Sequence, residues 1–275
     1  MQAGIRGLYE AAGKTYSQAA TSDFGFALGP RINAAGRLAD MTIGIECLLT
    51  DDATKALELA HALTRINRDR QEMESGMRMQ AFALADELFE DGVTPPAAIS
   101  VFDPDFHEGV VGIVASRVKD RLHRPTFVFA ASQADGKSHE LKGSGRSIPG
   151  FHLRDALDLV AKRHPGVLLR FGGHAMAAGC TIMEDEFHAF GRAFAQVAQE
   201  WLDASTLTRC VETDGPLDPA FRQAEVVERL NLEVWGQGFA APTFSEDVEV
   251  ISQRLVAEKH LKMQLRHRGD VVDGI

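Results

Sequence analysis

The chain has 275 residues, of which 45% are hydrophobic and 25% are charged, as in an ordinary globular protein. With 25 glycines, 10 prolines and three cysteines, this composition excludes a disordered chain, a collagen-like repeat and a small disulfide scaffold. No apolar run approaches the ~20 residues that cross a bilayer, and no secretory leader is evident. These features predict a soluble, cytoplasmic protein without a membrane partner.

The net charge of −10 is unevenly distributed along the chain. Residues 184–250 carry fourteen acids against four bases, whereas residues 137–174 carry seven bases against three acids. A local basic field can attract a polyanion even when the total charge is negative. The alternative is that these bases are solvated helix faces.

Within residues 1–49, helix- and strand-breaking residues occur at Gly25, Gly29-Pro30 and Gly36. They predict turns and short elements, none of which could bury a core by itself. We expect this segment to be the end of a domain whose remainder precedes Met1.

A long helix is predicted from Thr50 to about Phe89. Thr50, Asp51 and Asp52 offer N-cap oxygens, and apolar or long aliphatic residues then recur every three or four positions. An unbroken helix of ~40 residues would be ~60 Å long. Gly76 is its weakest position, so a kink or two helices is an alternative, and Asp91-Gly92 is expected to end it.

The remaining pattern is that of an α/β domain followed by a loop-rich, β-like end. Alternating strands and helices favour helices packed on a mixed sheet. Strands are predicted at 97–102, 126–131, 141–148, 248–256 and 260–266, and helices at 109–122, 151–163 and 186–202. Residues 168–171 lead into two glycines, and 175–182 fit either a helix or a strand.

Residues 142–147 (KGSGRS) form the first candidate binding motif. Read as a small-residue loop, it would let backbone N–H groups approach an anion, with Ser144 and Ser147 as further donors and Arg146 binding a phosphate. The alternative is a tight turn between strands.

Residues 171–179 (FGGHAMAAG) form a second and sharper motif. Gly172 and Gly173 remove side chains where a ligand must come close, and His174 follows at once. The alternative is a Gly/Ala patch for helix packing with an ordinary surface histidine.

Two further segments carry candidate binding residues. Residues 29–37 contain Arg31, Asn33 and Arg37, which could bind phosphates or tie this segment to a missing domain. Residues 105–112 lie where a strand gives way to a helix, and Val111 stands where a metalloprotease HExxH motif needs its second histidine. We find no acidic pair accompanied by histidines at two-metal spacing, and hence no self-sufficient catalytic or metal centre.

Several strings together resemble the C-terminal part of the RecJ family of single-stranded-DNA-specific exonucleases, in the DHH/DHHA1 phosphoesterase superfamily. They occur in the family's order over nearly the whole chain. The strings are residues 28–38 (LGPRINAAGRL), 44–49 (GIECLL), 107–117 (HEGVVGIVASR), 142–147, 153–157 (LRDAL), 171–179, 235–239 (WGQGF) and 259–262 (KHLK).

The resemblance implies an architecture in four parts. Residues 1–49 would be the tail of the catalytic DHH domain, and 50–94 the long connecting helix. Residues 95–203 would be the DHHA1 domain, an α/β mixed sheet with packed helices. Residues 204–275 would begin an oligonucleotide-binding (OB) β-barrel that is truncated at Ile275.

The resemblance also implies metal-dependent phosphodiester hydrolysis in DNA repair and recombination. Mn²⁺ or Mg²⁺ held by the DHH half would activate water, and 5′ nucleotides would leave a single strand one at a time. Ser144, Arg146 and Ser147 would hold phosphate, and Gly172, Gly173 and His174 the terminal nucleotide. Arg31, Asn33 and Arg37 would line the cleft, with His107 at its rim.

The aspartate and histidine motifs that hold the metal in this superfamily are absent from the sequence, so we expect a substrate-binding portion that is inactive alone. One alternative is a standalone nucleic-acid-binding module without catalysis. Another is a DHHA1 oligoribonuclease or nucleotide phosphatase. The long helix and the LGPRINAAGR and WGQGF strings disfavour it, because those smaller relatives lack the trailing OB domain.

Overall fold

A computed structural model describes residues 2–89, 96–137, 139–236, 238–257 and 260–275. It divides into two compact units, residues 1–209 and 210–275. Within the described residues, no helix is long and apolar enough to cross a membrane.

The N-terminal residues form short helices that pack together and share a core with the long helix that follows them. The helices are α1 (Ala3–Ala11), the single turn α2 (Thr21–Asp23), α3 (Gly29–Leu38) and α4 (Thr42–Leu49). A π-helical turn, Phe24–Leu28, leads directly into α3, so Gly29-Pro30 begins a helix instead of ending one. Leu8, Leu28 and Cys47 are buried in the core of this cluster.

The predicted long helix is α5 (Ala53–Asp86), which spans ~51 Å and runs unbroken through Gly76. The Asp52 carboxylate caps it by accepting hydrogen bonds from the Thr54 and Lys55 amides, as predicted. A 3-10 turn, Glu87–Phe89, follows, and the expected stop at Asp91-Gly92 lies outside the described residues.

A mixed sheet forms the body of the first unit, and five of its strands are described. They are β1 (Ile99–Phe102), β2 (Thr126–Ala131), β3 (Glu140–Arg146), β4 (Arg170–Gly173) and β5 (Ala177–Met183), in the order β1-β2-β3-β5-β4. Strands β1 and β2 are parallel and the other pairs are antiparallel. Helix α6 (Val111–Leu122) covers one face, and α7 (Leu153–Arg163) and α8 (Phe187–Trp201) cover the other.

Strand β2 is buried on both faces, which explains its continuous apolar sequence. Phe127 and Phe129 pack with α7 and α8, whereas Val128 and Ala130 pack with α6 and the end of α5. The carboxy-terminal half of α5 thus belongs to the sheet's core, and its amino-terminal half to that of the N-terminal helices.

The second unit contains α9 (Ala224–Leu232) and an antiparallel sheet of β6 (Glu249–Val256), β7 (His260–His267) and β8 (Asp270–Gly274) in that order. Helix α9 was not predicted. The sheet is amphipathic, because Val250, Leu265 and Val272 are cross-strand neighbours and Lys262 pairs with Asp273.

Alanine substitutions at two glycines can test how tightly the first unit is packed. A Cβ at Gly143 would lie 2.3 Å from a ring carbon of Phe129, whereas Gly76 has open space around it in mid-helix. Gly143→Ala is expected to lower the free energy of unfolding by ~1–3 kcal/mol through overpacking. Gly76→Ala is expected to raise it by up to ~1 kcal/mol. Urea unfolding followed by circular dichroism measures both, and equal effects of the same sign would contradict this packing.

Candidate functional site

The KGSGRS motif lies in an interior strand, in agreement with the strand predicted at 141–148, so the small-residue loop and its turn alternative are both wrong. Residues 142–146 belong to β3, between β2 and β5. Gly143 and Gly145 leave room for the rings of Phe129 and Phe127, which explains why they carry no side chain. Ser144 and Arg146 project to the opposite face, where a Cβ on Gly112 of α6 would lie 2.9 Å from each side chain.

Arg146 is a partly buried cation whose hydrogen-bond acceptors are neutral. Its Nη1 donates to Ser144 Oγ (3.1 Å) and to the Gly145 carbonyl (2.8 Å). Desolvation by burial lowers the pKa of its guanidinium, and the positive charge of Arg37 lowers it further. No carboxylate among the described residues pairs with Arg146. Because a desolvated charge needs a counter-charge, an anion is the partner that suits this position.

The amino terminus of α6 lies against Arg146. The His107 carbonyl accepts hydrogen bonds from the Val110 and Val111 amides, and His107 Nδ1 accepts one from Gly109 N–H (3.0 Å). The neutral His107 ring therefore carries its proton on Nε2. Within the described part of the chain, Gly112 N–H has no hydrogen-bond acceptor. The free amide and the helix dipole favour negative charge here.

Arg37 lies near Arg146 and the amino terminus of α6 because α3 contacts the loop before α6. Its Nη1 donates to the Gly109 carbonyl (3.1 Å), and a Cβ on Gly109 would lie only 2.2 Å from the Arg37 carbonyl oxygen. Asn33, one turn earlier on the same side of α3, is exposed. We call the surroundings of Arg37, Gly112, Ser144 and Arg146 the basic pocket.

The FGGHAMAAG motif is a hairpin that joins β4 to β5, so the helical alternative is wrong. Gly173 has φ +145°, which only glycine adopts readily, and His174 N–H bonds to the Ala177 carbonyl across the exposed turn. Since Ala177 pairs with Arg146, His174 lies at the same end of the sheet as the basic pocket.

Two glycines of this hairpin form a surface without side chains. Gly172 pairs with Gly179, and Gly179 pairs with Ser144, so all three residues face the same side of the sheet. A Cβ at Gly172 would meet nothing within 4 Å, and one at Gly179 would meet only the Gly143 carbonyl at 3.6 Å. We call Gly172 and Gly179 the glycine floor.

Two predicted residues lie elsewhere. Ser147 is 1% exposed, and its hydroxyl donates to the Phe151 carbonyl (2.6 Å), so it holds the turn before α7 instead of facing the pocket. Arg31 is on another side of α3 from Asn33 and contacts α5, where its Nε donates to Thr64 Oγ1 (3.1 Å).

Beside Arg31 lies a groove between α3, α5 and α6 that was not predicted from the sequence. It consists of two cavities of about 330 and 410 Å³ that share Pro30, Arg70 and Gln71. We call it the arginine groove. Its arginines are Arg31, Arg68, Arg70, Arg78 and Arg117. The spacing of Arg68, Gln71, Ser75 and Arg78 along one helix face is the signal that could have revealed it.

Comparison with known proteins agrees with this architecture. The DHHA1 domain family matches residues 94–200, which include the mixed sheet with α6, α7 and most of α8. The RecJ OB domain family matches residues 213–275. The chain matches a C-terminal portion of RecJ proteins.

Full-length relatives give the extent of this similarity. The chain is 46% identical to the single-stranded-DNA-specific exonuclease RecJ of Escherichia coli (strain K12), over 99% of this chain and 47% of that protein. It is 30% identical to RecJ of Bacillus subtilis (strain 168), over 98% of this chain and 34% of that protein. It thus spans less than half the length of these relatives, and its similarity corresponds to a C-terminal RecJ portion.

A crystal structure of RecJ from Thermus thermophilus in complex with Mn²⁺ superposes with a TM-score of 0.78. The identity is 32%, over 99% of this chain and 38% of that one. A second structure of that protein holds Mg²⁺. In this chain, the described residues contain no group of three or more His, Cys, Asp or Glu that could hold a metal ion. They do not fit the metal of the RecJ relatives, and no metal-dependent step is assigned to them.

The contact between α3 and the loop before α6 can be tested at Gly109. Gly109→Ala would force a methyl group onto the Arg37 carbonyl, so it is expected to destabilise the first unit by ~1–3 kcal/mol. Gly25→Ala, where a Cβ meets nothing within 4 Å, is the matched control and should be neutral or slightly stabilising. Thermal unfolding compares the two variants. An unchanged midpoint for Gly109→Ala would show that the backbones are not in contact.

Proposed function

We propose that this chain is the substrate-binding portion of a RecJ-type, metal-dependent exonuclease that degrades single-stranded DNA from its 5′ end. The observation that carries the proposal is Arg146, a partly buried guanidinium with neutral partners beside a second arginine and the start of a helix. This combination favours a phosphate over any ligand without charge.

The basic pocket would hold the terminal phosphate of the strand. Arg146 can offer two N–H groups to one phosphate, Ser144 adds a hydroxyl, and Gly112 N–H points from the start of α6. Arg37 supplies the second positive charge. His107 would act as a positioning residue, because its ring and carbonyl fix the loop that carries Gly109 and Gly112.

The glycine floor would receive the nucleotide attached to that phosphate. Without a Cβ on Gly172 or Gly179, a planar base or a sugar can lie directly against the backbone. His174 at the hairpin tip is placed to contact the same nucleotide, and Asn33 to contact the strand from α3. The conformation of Gly173 sets the geometry of this hairpin.

The second unit would extend the contact with the strand, since OB domains bind single strands with little sequence preference. We retain residues 1–49, 50–94, 95–203 and 204–275 as the proposed functional divisions. The oligoribonuclease alternative is disfavoured by the match of residues 213–275 to the RecJ OB domain.

Removing the guanidinium of Arg146 is expected to abolish recognition of the 5′ phosphate. Wild type should bind a 5′-phosphorylated dT oligonucleotide more tightly than its 5′-hydroxyl counterpart. Arg146→Ala should lose roughly ten- to hundred-fold affinity for the phosphorylated strand only, the range for hydrogen bonds to charged groups. Arg146→Lys should have an intermediate affinity, because lysine keeps the positive charge but lacks the planar guanidinium that can bind a phosphate through two N–H groups. Fluorescence anisotropy measures these affinities.

Arg154→Ala is the matched control, since Arg154 is exposed on α7 at the other face of the sheet. It should bind like wild type. A preference for the 5′ phosphate that survives in Arg146→Ala, or an equal loss in Arg154→Ala, would refute the assignment of the basic pocket.

We further propose that the chain alone does not hydrolyse DNA, because its described residues offer no cluster of metal-binding side chains. Incubating the 275-residue chain with 5′-labelled single-stranded DNA and Mn²⁺ should release no labelled nucleotide. Release that is blocked by EDTA and follows the protein through successive columns would contradict this expectation.

A further inference from the structure

We infer that the arginine groove is a second binding site for the phosphodiester backbone of a single strand, separate from the basic pocket. The inference rests on the proposed function, because it assigns a further length of the same ligand. It depends on different residues, which lie on α3, α5 and α6 and not on the sheet.

The groove has a large surplus of positive charge. Of the residues that line its two cavities, five are arginines and only Glu74 is acidic. The neighbouring acids Asp69 and Glu72 line neither cavity. Such a surplus in a concave surface attracts anionic ligands, and the phosphates of a nucleic acid above all.

Glu74 fixes the positions of two guanidinium groups but neutralises only part of the positive charge of the groove. This carboxylate is 8% exposed, and it accepts hydrogen bonds from Arg70 Nη1 (2.9 Å) and Arg117 Nε (3.2 Å). It therefore joins α5 to α6 and orients both guanidinium groups, while Arg70 also donates to Asn67 Oδ1 (3.2 Å). The remaining N–H groups of Arg117 stay available for a ligand.

Arg31 at the other end of the groove is held by neutral groups only. It donates to Thr64 Oγ1 (3.1 Å) and to the Ala27 carbonyl (2.6 Å), and burial lowers the pKa of its guanidinium. Arg68 and Arg78 have no hydrogen bond or ion pair within the described ranges. Three guanidinium groups without an acidic partner thus face one groove.

An aromatic side chain at the same groove favours a single strand over a duplex. Phe26 lines the cavity with Arg31 and is 87% exposed. It sits on the π-helical turn Phe24–Leu28, a local structure that often occurs at functional sites. Unpaired bases stack on exposed aromatic rings, whereas bases in a duplex are already stacked.

The groove and the basic pocket are close enough for one strand to occupy both. Ile113 lines the groove and follows Gly112, which touches Arg146. Arg68 and Arg78 are ten residues apart on α5, or ~15 Å, which accommodates more than one phosphate. A strand whose end lies in the basic pocket would therefore continue past α6 into the groove.

The test compares Arg68→Gln/Arg78→Gln with Arg65→Gln, an exposed arginine on α5 that lines neither cavity. The probes are fluorescein-labelled dT oligonucleotides of different lengths, all with a 5′ phosphate, titrated with NaCl. The salt slope is the slope of the logarithm of the association constant against the logarithm of the NaCl concentration. Each lost phosphate contact should lower its magnitude by ~0.7, so the slope of the double variant should be smaller by ~1.4. If the wild type and the double variant bind equally well near 1 M NaCl, this difference in slope corresponds to roughly tenfold weaker binding by the double variant near 0.15 M NaCl.

Phe26→Ala should weaken single-strand binding about fivefold or more through lost stacking, with little change in the salt slope. Circular dichroism of these surface variants verifies that they remain folded. A salt slope and length dependence in the double variant equal to those of Arg65→Gln would overturn the proposal. So would equal losses for single-stranded and duplex probes.

These outcomes are distinguishable from failure of the proposed function. If Arg146→Ala loses 5′-phosphate recognition while the groove variants bind normally, only the groove assignment fails. If the groove variants lose affinity but wild type shows no 5′-phosphate preference, the groove stands and the basic pocket fails. If well-folded wild type binds no single strand, both are wrong.

Discussion

The single unbroken helix α5 is the constraint on which the candidate binding surfaces depend. Its first half buries Ala60 and Leu63 among the N-terminal helices, and its second half buries Met77, Ala81 and Ala85 beside β1 and α6. Two hydrophobic cores thus share one rigid element, which fixes α3 relative to the sheet. Arg37 can reach the loop before α6 only because this spacing is held.

The charge distribution follows from the same arrangement. Most ion pairs of the first unit are at the surface, where each contributes little to stability. The arginines with neutral partners are instead partly buried, where desolvation makes an uncompensated charge unfavourable. Stability alone gives no reason for a guanidinium at these positions, whereas binding an anion does. A net charge of −10 for the whole chain is compatible with such local sites.

Much of the fold could be predicted from local patterns. The boundaries of β2 agree with the apolar run at 126–131, and α5 agrees with its cap and its periodicity. The strand predicted at 141–148 agrees with β3. The composition of KGSGR within it is nevertheless typical of loops, so this segment also gave the wrong prediction of a binding loop. Its glycines are required by Phe127 and Phe129 on the neighbouring strand, and such contacts between distant residues leave no periodic signal.

The same limit applies to the candidate site. The motifs include Arg146, Ser144 and Arg37, which the structure brings together. Ser147 could not be separated from Ser144 by sequence, since alternation along β3 and a bond to Phe151 decide which hydroxyl is available. The arginine groove could not be predicted, because it exists only where α3 and α6 pack beside the arginines of α5.

Arg37 and Arg146 show how ligand and fold could support each other. Two like charges repel, and here the Gly109 contact holds Arg37 close enough to depress the pKa of Arg146. A phosphate between them would replace this repulsion with two attractions, one to α3 and one to β3. Because the ligand would then bind the folded unit and not the unfolded chain, its binding free energy would add to the stability of the packing between α3 and the sheet. Binding of the strand would thereby stabilise the contact between α3 and the sheet that forms its own binding surface.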